Sequence, residues 1–510
     1  MKPFYLTTAI DYANGPPHLG HALEKVGADA IARYLRRGGR AVHFVIGMDE
    51  HGQKVAQSAA AAGLEPQAWV DGVAARFREA WAALAIGYDD FLRTTEPRHR
   101  RAVEAMIRRM AARGDLYRGT YAGYYCVGCE AYKTADELVD GRCPVHPTRP
   151  IEWMEEEDWF FRLSAYREPL RRLLDEHPEF CQPESRRNEV RQMVEDIRDI
   201  SVSRARLRWG IPWPGDPEHV VYVWIDALTN YLSATGFPDP GFEALWPADL
   251  HVIGKDIVRF HCVYWPAMLL SAGLPLPRAV WAHGFMTLGG GKISKSAGVR
   301  LELGEAIARH GPEALRYYLL REIPWDDDGT FSLERFDERY AKDLADDLGN
   351  LVHRTLAMVE RYAEGRVPPA HGDEGLAATA AALRARYEER MDAWRLHEGL
   401  ATAMELVAEA NRFVDARAPW ALAKAGERAA LAGTLHALVR ALGVAAVLLE
   451  PFLPRTAVTL WEALGAEDRL LPRRDELAAW DPTGWRVRRG PPLFPKRRPA
   501  AGVDTSSPPA

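Results

Sequence analysis

Two histidines three residues apart, His18 and His21, stand where an extended segment gives way to a helix. Two prolines directly before them forbid a helix there, and apolar residues recur at helical spacing after them. Both side chains therefore share one face of the first helical turn, where free N–H groups and the helix dipole favour phosphate. Gly20 lets a ligand approach the backbone closely. The pair could stabilise charge on a phosphoryl group in transfer, or it could simply cap a surface helix.

A second stretch suited to phosphate lies at residues 289–296, with the sequence Gly-Gly-Gly-Lys-Ile-Ser-Lys-Ser. Lys292 and Lys295 follow the glycines, and a lysine ammonium is a compact charge that binds phosphate well. A flexible basic surface loop is the alternative interpretation. Together, HLGH and KISKS resemble the paired HIGH and KMSKS signatures of the class I aminoacyl-tRNA synthetases. The resemblance implies that His18, His21, Lys292 and Lys295 are catalytic.

A metal site is predicted by a cluster of cysteines. Cys126 and Cys129 form one pair and Cys143 and His146 form another, each separated by two residues. This spacing suits tetrahedral zinc. Four protein ligands fill the coordination sphere, so the predicted zinc is structural. Reduced cysteines in a loop are the alternative.

Composition limits the cellular setting. The chain has 510 residues and five cysteines, and an odd, clustered set of cysteines indicates a reducing compartment. The N-terminus carries no signal peptide, and the apolar run at 441–449 is too short to span a bilayer. We therefore expect a cytoplasmic protein without a membrane partner. A net charge of −6 means that any nucleic acid must meet a local basic face.

The elements that position these residues follow an α/β pattern. Residues 4–10 and 41–46 are predicted strands joined by the first helix in a right-handed crossover, and further strands are predicted at 220–224, 250–253 and 279–281. In parallel sheets, ligands bind beyond the carboxyl ends of the strands. Asp49 there could meet an ammonium group and Asp256 a ribose, although both could be helix caps. We assign the nucleotide site to His18, Gly20, His21, Glu24, Gly254, Asp256, His283 and Lys295.

The resemblance narrows to the methionyl-tRNA synthetases at residues 12–15, 49–52, 222–227, 254–257 and 292–296, with His261. It implies that Asp49 holds the amino group of methionine. A thioether packs well against aromatic edges, whereas Trp224 and Tyr231 could also be ordinary core aromatics. The pocket implied by the family is lined by Ala9, Ile10, Tyr12, Trp224, Ala227, Leu228, Tyr231, Ile257 and His261.

The C-terminal part is alanine-rich from 333 to 465 and predicts a bundle of about five helices. Asn350 and Arg354 lie four apart, hence on one helical face, and Trp420 stands at a helix start. The resemblance makes these three residues anticodon readers, since unstacked RNA bases are read by stacking and by side-chain hydrogen bonds. A capping asparagine, a solvated arginine and a staple tryptophan are the alternative.

We expect a Rossmann-like catalytic domain in two halves, 1–115 and 220–332, the second including the KISKS linker. A connective insertion with a zinc knuckle separates them at 116–219. An α-helical anticodon-binding domain at 333–490 and a partly disordered tail at 491–510 follow. Because no further domain fits after the bundle, a monomer is expected.

The resemblance implies ATP-dependent activation of L-methionine to methionyl-adenylate and its transfer to the 3′-terminal adenosine of tRNA(Met), with Mg²⁺ accompanying ATP. Two other functions remain open. A small-molecule nucleotidyltransferase shares the HxGH strand-loop-helix but would have no task for the bundle. A non-catalytic RNA-binding relative would need neither the histidine pair nor the lysines.

Overall fold

A computed structural model of the chain describes residues 2–126, 131–133, 135–144, 146–148, 151–288, 291–292, 301–371, 375–466 and 470–496. The chain divides into two compact units. The first unit comprises Met1–Pro312 and Glu322–Thr330, and the second comprises Glu313–Arg321 and Phe331–Ala510.

The strands are β1 (Phe4–Thr8), β2 (Asp11–Tyr12), β3 (Val42–Asp49), β4 (Asp90–Arg93), β5 (Leu116–Cys126), β6 (Ala131–Lys133), β7 (Glu152–Phe161), β8 (Cys181–Gln182), β9 (Ile200–Ser201), β10 (Ser203–Arg204), β11 (Pro212–Trp213), β12 (Asp216–Val221), β13 (Leu250–Gly254), β14 (Val280–His283), β15 (Met286–Leu288), β16 (Gly291–Lys292) and β17 (Gly329–Phe331).

The α-helices are α1 (Leu19–Arg37), α2 (Gln53–Ala61), α3 (Pro66–Ala83), α4 (Pro97–Ala112), α5 (Arg167–Glu176), α6 (Glu184–Glu195), α7 (Val223–Ser233), α8 (Trp265–Ser271), α9 (Leu303–His310), α10 (Pro312–Glu322), α11 (Leu333–Arg339), α12 (Asn350–Ala363), α13 (Gly375–Asp392), α14 (Leu396–Arg417), α15 (Pro419–Ala425), α16 (Arg428–Leu449) and α17 (Pro454–Ala463). Wider π-helical turns at Phe260–Tyr264 and Tyr340–Gly349 lead into α8 and α12.

A parallel sheet organises the first unit. Its described strands run in the order β2-β3-β1-β13-β14-β8, and β4 also pairs with β3. β1 lies between β3 and β13, with Leu6 opposite both Phe44 and Leu250. All three side chains are buried, as expected for strands covered on both faces. The predicted α/β parallel-sheet fold is thereby confirmed.

One predicted strand is wrong. Residues 220–224 do not continue the parallel sheet, because Val220 and Val221 end β12, which pairs antiparallel with β10 and β11. Helix α7 begins two residues later, at Val223. A short, fully apolar run does not distinguish a buried strand from a buried helix. The strand β4 was not among the predicted strands.

Segment 116–219 contributes to three described sheets, one of which is the antiparallel β10-β12-β11 sheet. Ten residue pairs join β5 to β7 in a four-stranded antiparallel sheet, in which β6 and β9 flank them. The short strand β8 instead pairs in parallel with β14, at the edge of the main sheet. The predicted insertion is therefore partly built into the parallel sheet.

Helices form the second unit, and its described part contains most of α10 and all of α11 to α17. The seven described helices within 333–465 are more than the five expected. By length and composition α16 could cross a membrane, but 83% of its most apolar window is buried inside the protein. It is therefore a core helix of this unit. The helix begins at Arg428, well before the apolar run at 441–449, which by itself is too short to span a membrane. Of the predicted tail, Phe494 is buried and the Pro495 carbonyl accepts from the Tyr340 hydroxyl, while 497–510 lie outside the described residues.

Candidate active site

The histidine pair begins α1 and caps it reciprocally. The His18 Nδ1 accepts the Gly20 and His21 N–H groups at 3.1 and 3.4 Å, and the His21 Nδ1 accepts the His18 N–H at 3.3 Å. The two rings stack with centroids 3.6 Å apart. Since each Nδ1 accepts, the neutral ring carries its proton on Nε2. The capping role foreseen as the alternative is present, and it makes each Nε2 a hydrogen-bond donor.

The nucleotide-site residues on α1, β13 and β14 meet at the carboxyl edge of the sheet. Glu24 Oε2 lies 3.4 Å from His283 Nε2, which connects α1 to β14. Gly254 is paired with His283 in the sheet. A Cβ on Gly254 would lie 2.7 Å from Asp256 Oδ1, so the Asp256 carboxylate lies close to the backbone at the end of β13. The structure thus brings together Glu24, Gly254, Asp256 and His283.

Most residues of the implied methionine pocket belong to one hydrophobic cluster or pack against it. Leu228 and Tyr231 belong to this buried cluster, and Ala9, Tyr12, Trp224 and Ile257 pack against it. Ala227 is also buried, and Ile10 packs over Gly47. The Trp224 ring stacks on Phe260 with centroids 3.6 Å apart. Sequence reasoning missed Phe260, although it directly precedes His261.

Two hydrogen bonds fix the polar side of this pocket. The Tyr231 hydroxyl donates to His261 Nε2 at 2.7 Å, and His261 Nδ1 donates to the Ile257 carbonyl at 3.0 Å. Burial lowers the pKa of His261 to about 4, although the Ile257 carbonyl and Glu24 oppose this effect. The imidazole is therefore neutral, and the cluster presents an uncharged surface.

A pH prediction follows from His261. Its folded pKa of about 4 lies below its ordinary value of 6.5, so the unfolded chain binds the proton first on acidification. The stability that the neutral ring provides is present above pH 6.5 and is lost as the pH falls towards 4, by about 3 kcal/mol in all. Thermal unfolding of wild type and His261→Gln between pH 7 and 5 should show a steeper loss for wild type. Parallel curves would contradict it.

Asp49 ends β3 and is buried, beside a network that sequence reasoning missed. Asp226 is fully buried and accepts from His51 Nδ1 at 2.7 Å and from His99 Nε2 at 2.6 Å. Burial acts to raise the pKa of Asp226, but the two imidazoles outweigh it and hold this pKa at about 2. The carboxylate thus ties together the end of β3, α4 and α7. A carboxylate inside the apolar run of α7 was the available signal.

The second motif is described only in part. The Lys292 backbone lies in β16, opposite Thr287 of β15. The Lys292 side chain and the whole of Lys295 lie outside the described residues.

Three of the four predicted metal ligands converge. Ligand atoms of Cys126, Cys143 and His146 all lie within 4.8 Å of one another, and Cys126 Sγ is 3.9 Å from His146 Nδ1. Atoms that share a zinc ion at 2.0–2.3 Å must lie within about 4.6 Å of each other, so this pair fits. Cys129 lies outside the described residues.

In the helical unit, Asn350 and Arg354 lie on α12 and Trp420 on α15. Asn350 is exposed, and Arg354 Nη2 lies 3.1 Å from Asp415 Oδ1 near the end of α14. Trp420 leaves 48% of its surface exposed. An exposed tryptophan and a polar pair are available to stack and hydrogen-bond with bases. Asp415 was not foreseen.

Similarity to known proteins agrees with this architecture. The family described as "tRNA synthetases class I (M)" matches residues 4–149 and 147–356, and "Anticodon binding domain of methionyl tRNA ligase" matches 366–496. A parallel sheet with a capped histidine pair, followed by such a helical unit, defines a class I aminoacyl-tRNA synthetase. A small-molecule nucleotidyltransferase would have no use for an anticodon-binding unit, so the match at 366–496 argues against that alternative.

Individual relatives give the particular member of the class. A methionine–tRNA ligase of Caldanaerobacter subterraneus subsp. tengcongensis is 43% identical over 97% of this chain and 79% of its own length. That of Brucella suis is 42% identical over 97% and 98%. A Mycobacterium tuberculosis methionyl-tRNA synthetase in complex with methionyl-adenylate superposes with a TM-score of 0.93, at 41% identity over 97% of this chain and 100% of that one. The chain belongs to the methionine–tRNA ligases.

Proposed function

We propose that the chain joins L-methionine to tRNA(Met) in two steps at the carboxyl edge of the parallel sheet. The methionine carboxylate attacks the α-phosphorus of ATP and pyrophosphate leaves. A hydroxyl of the terminal adenosine of the tRNA then attacks the methionyl carbonyl and AMP leaves. The observation that carries this proposal is the capped histidine pair at the N-terminus of α1. Glu24, which contacts His283 of β14, lies in the same N-terminal part of that helix.

Positioning and electrostatics carry the first step, because no covalent nucleophile is required of the protein. The Nε2–H groups of His18 and His21, at the positive end of α1, stabilise charge on the phosphorus in the transition state. Lys295 and Lys292 add positive charge there. Mg²⁺, when it accompanies ATP, would supply further positive charge against the phosphates. Gly254 and Asp256 receive the nucleoside, and Asp256 accepts from ribose hydroxyls.

The aromatic cluster selects the amino acid. Trp224 and Tyr231 offer ring edges and faces to the thioether. His261 is neutral, so it places no charge beside the apolar side chain of methionine. Asp49 holds the ammonium group. An apolar pocket discriminates one methylene by only about 1–3 kcal/mol, so homocysteine is the competitor to expect.

Amino-acid-dependent ATP–pyrophosphate exchange tests this function. All twenty amino acids and homocysteine are assayed with the full chain, and methionine should give the fastest exchange. A lead by another amino acid would overturn the pocket and keep the class of enzyme. Absence of exchange with every amino acid would overturn the proposed reaction.

We also propose that Asn350, Arg354 and Trp420 of segment 333–490 read the anticodon. Base stacking on an aromatic side chain contributes about 1–3 kcal/mol. Trp420→Ala should therefore raise the tRNA KM in aminoacylation by about tenfold or more, with ATP–pyrophosphate exchange unchanged. Leu470, which leaves 94% of its surface exposed, offers a control, and Leu470→Ala should change neither assay. An unchanged tRNA KM in Trp420→Ala would contradict the assignment.

Zinc is the metal that suits the cysteine cluster, and we propose Cys126, Cys129, Cys143 and His146 as its ligands. Two buried thiols and one imidazole form a donor set typical of structural zinc sites. Zinc when bound would cross-link the end of β5 to the turn at 143–146. Atomic emission should find about one zinc per wild-type chain and well below half of that in Cys126→Ser. Cys181→Ser, a change of a buried cysteine on β8, is the control that should keep its zinc.

A further inference from the structure

A lysine lies buried in the first helix, and none of the roles above uses it. Lys25 of α1 has no exposed surface, and the two residues before it, Leu23 and Glu24, are also buried. Its ammonium donates to the Ala9 carbonyl at 2.8 Å, to Asp11 Oδ1 at 2.8 Å and to Glu24 Oε1 at 2.6 Å. An ammonium has three N–H groups, so each has a protein partner. A buried charge is tolerated only when it is paired in this way.

The partners of Lys25 belong to two different sides of the site. Ala9 and Asp11 flank Ile10 in the segment that leads from β1 into β2, and the Ala9 N–H donates to the Val252 carbonyl at 3.0 Å. This segment faces the aromatic cluster. Glu24 instead reaches His283 at the end of β14 through its second carboxylate oxygen. One ammonium therefore bridges the amino-acid side and the nucleotide side.

The two carboxylates that contact Lys25 differ in how readily they ionise. Burial acts to raise the pKa of Glu24, but Lys25 and His283 outweigh it and hold this pKa below its usual value. Burial, helped by the charge of Glu24, raises the pKa of Asp11 to about 7 against the attraction of Lys25. The Asp11 Oδ2 is buried and has no hydrogen-bond partner among the residues that the structure describes. The Asp11 contact is thus the weaker arm of the bridge.

We propose that Lys25 is a positioning residue that links the two halves of the site, by holding the Ala9–Asp11 backbone against Glu24. It touches neither substrate and acts through the residues that do. This inference rests on the proposed function, in which methionine occupies one side and ATP the other. Its consequence is that one substitution, at a residue that contacts neither ligand, weakens the binding of both.

The test compares Lys25→Met with a matched change on the same helix. Methionine keeps the length of the lysine and removes its charge. We expect KM in pyrophosphate exchange to rise about tenfold for methionine and for ATP, the size of effect that loss of hydrogen bonds to charged groups produces. Arg33→Met is the control, because Arg33 also pairs with a carboxylate, Asp29 at 2.7 Å, and with the Ala85 carbonyl. It should lower thermal stability and change neither KM.

A second variant separates the two arms and covers the case in which Lys25→Met does not fold. Asp11→Val removes the charged contact on the amino-acid side and leaves the contacts of Lys25 with the Ala9 carbonyl and with Glu24 in place. Valine suits a strand. The methionine KM should rise about fivefold and the ATP KM should stay within about twofold. Unchanged KM values in Lys25→Met, or an Asp11→Val variant that moves neither KM or both equally, would overturn the proposal. Wild-type exchange is measured first, and if methionine fails to support it, the proposed function and this inference both fall.

Discussion

Replacing His18 by asparagine is expected to slow methionyl-adenylate formation by about 10²–10³-fold while the fold stays intact. Asparagine is a good N-cap, so its side-chain oxygen can still accept the Gly20 and His21 N–H groups that His18 Nδ1 accepts. Its short side chain cannot place a donor where the imidazole Nε2 lies. Pre-steady-state adenylate formation at saturating ATP and methionine measures the effect, and circular dichroism checks the helix.

The matched variant for His18 is His18→Ala, which removes the cap as well as the donor. It should show the same loss of rate as His18→Asn and an additional loss of stability of about 1 kcal/mol. Comparison of the two variants therefore separates capping from catalysis. A His18→Asn enzyme within about fivefold of the wild-type rate would show that His18 only caps the helix.

Asp226→Asn is expected to destabilise the first unit by about 3 kcal/mol, because removal of one partner from a buried charge network leaves the others uncompensated. His51 and His99 both depend on this carboxylate, and His99 also contacts Ser233 at 2.8 Å. Thermal unfolding, monitored by tryptophan fluorescence, should shift down by several degrees. Methionine activation should fall with it, since His51 lies two residues from Asp49.

Two observations check the Asp226 prediction. The pKa of about 2 lies below the ordinary 3.8, so the stability from this carboxylate is present above pH 3.8 and is lost as the pH falls towards 2. Wild type should therefore converge with Asp226→Asn on acidification. Asp239→Asn is the control, because Asp239 pairs with Arg101 of α4 at 3.4 Å on the surface, where ion pairs contribute little. Equal unfolding temperatures in all three proteins would refute the prediction.

Local sequence patterns foretold much of the fold because the signals were short-range. Helix α1 lies between β1 and β3 in the chain, as predicted, and β13 begins at Leu250, the first residue of a predicted strand. The failures at 220–224 and at β4 share one cause. A short apolar run fits a buried strand or a buried helix equally, and only its partners decide between them. The helical unit contains more helices than expected because some breaks carry no proline, such as the one between α13 and α14, where Trp394 has a positive φ.

The sequence by itself determined the family, the parallel-sheet class and the residues proposed for chemistry. Catalytic motifs are short and contiguous, so they can be recognised from the order of residues alone. Only the tertiary structure decided how these residues are held. Although the reciprocal cap of His18 and His21 is local, the neutral state of His261 and the network around Asp226 depend on contacts between distant segments. The buried bridge of Lys25 to Ala9 and Asp11 is of the same kind. Burial and pairing set charge and tautomer, and neither can be read from the order of residues alone.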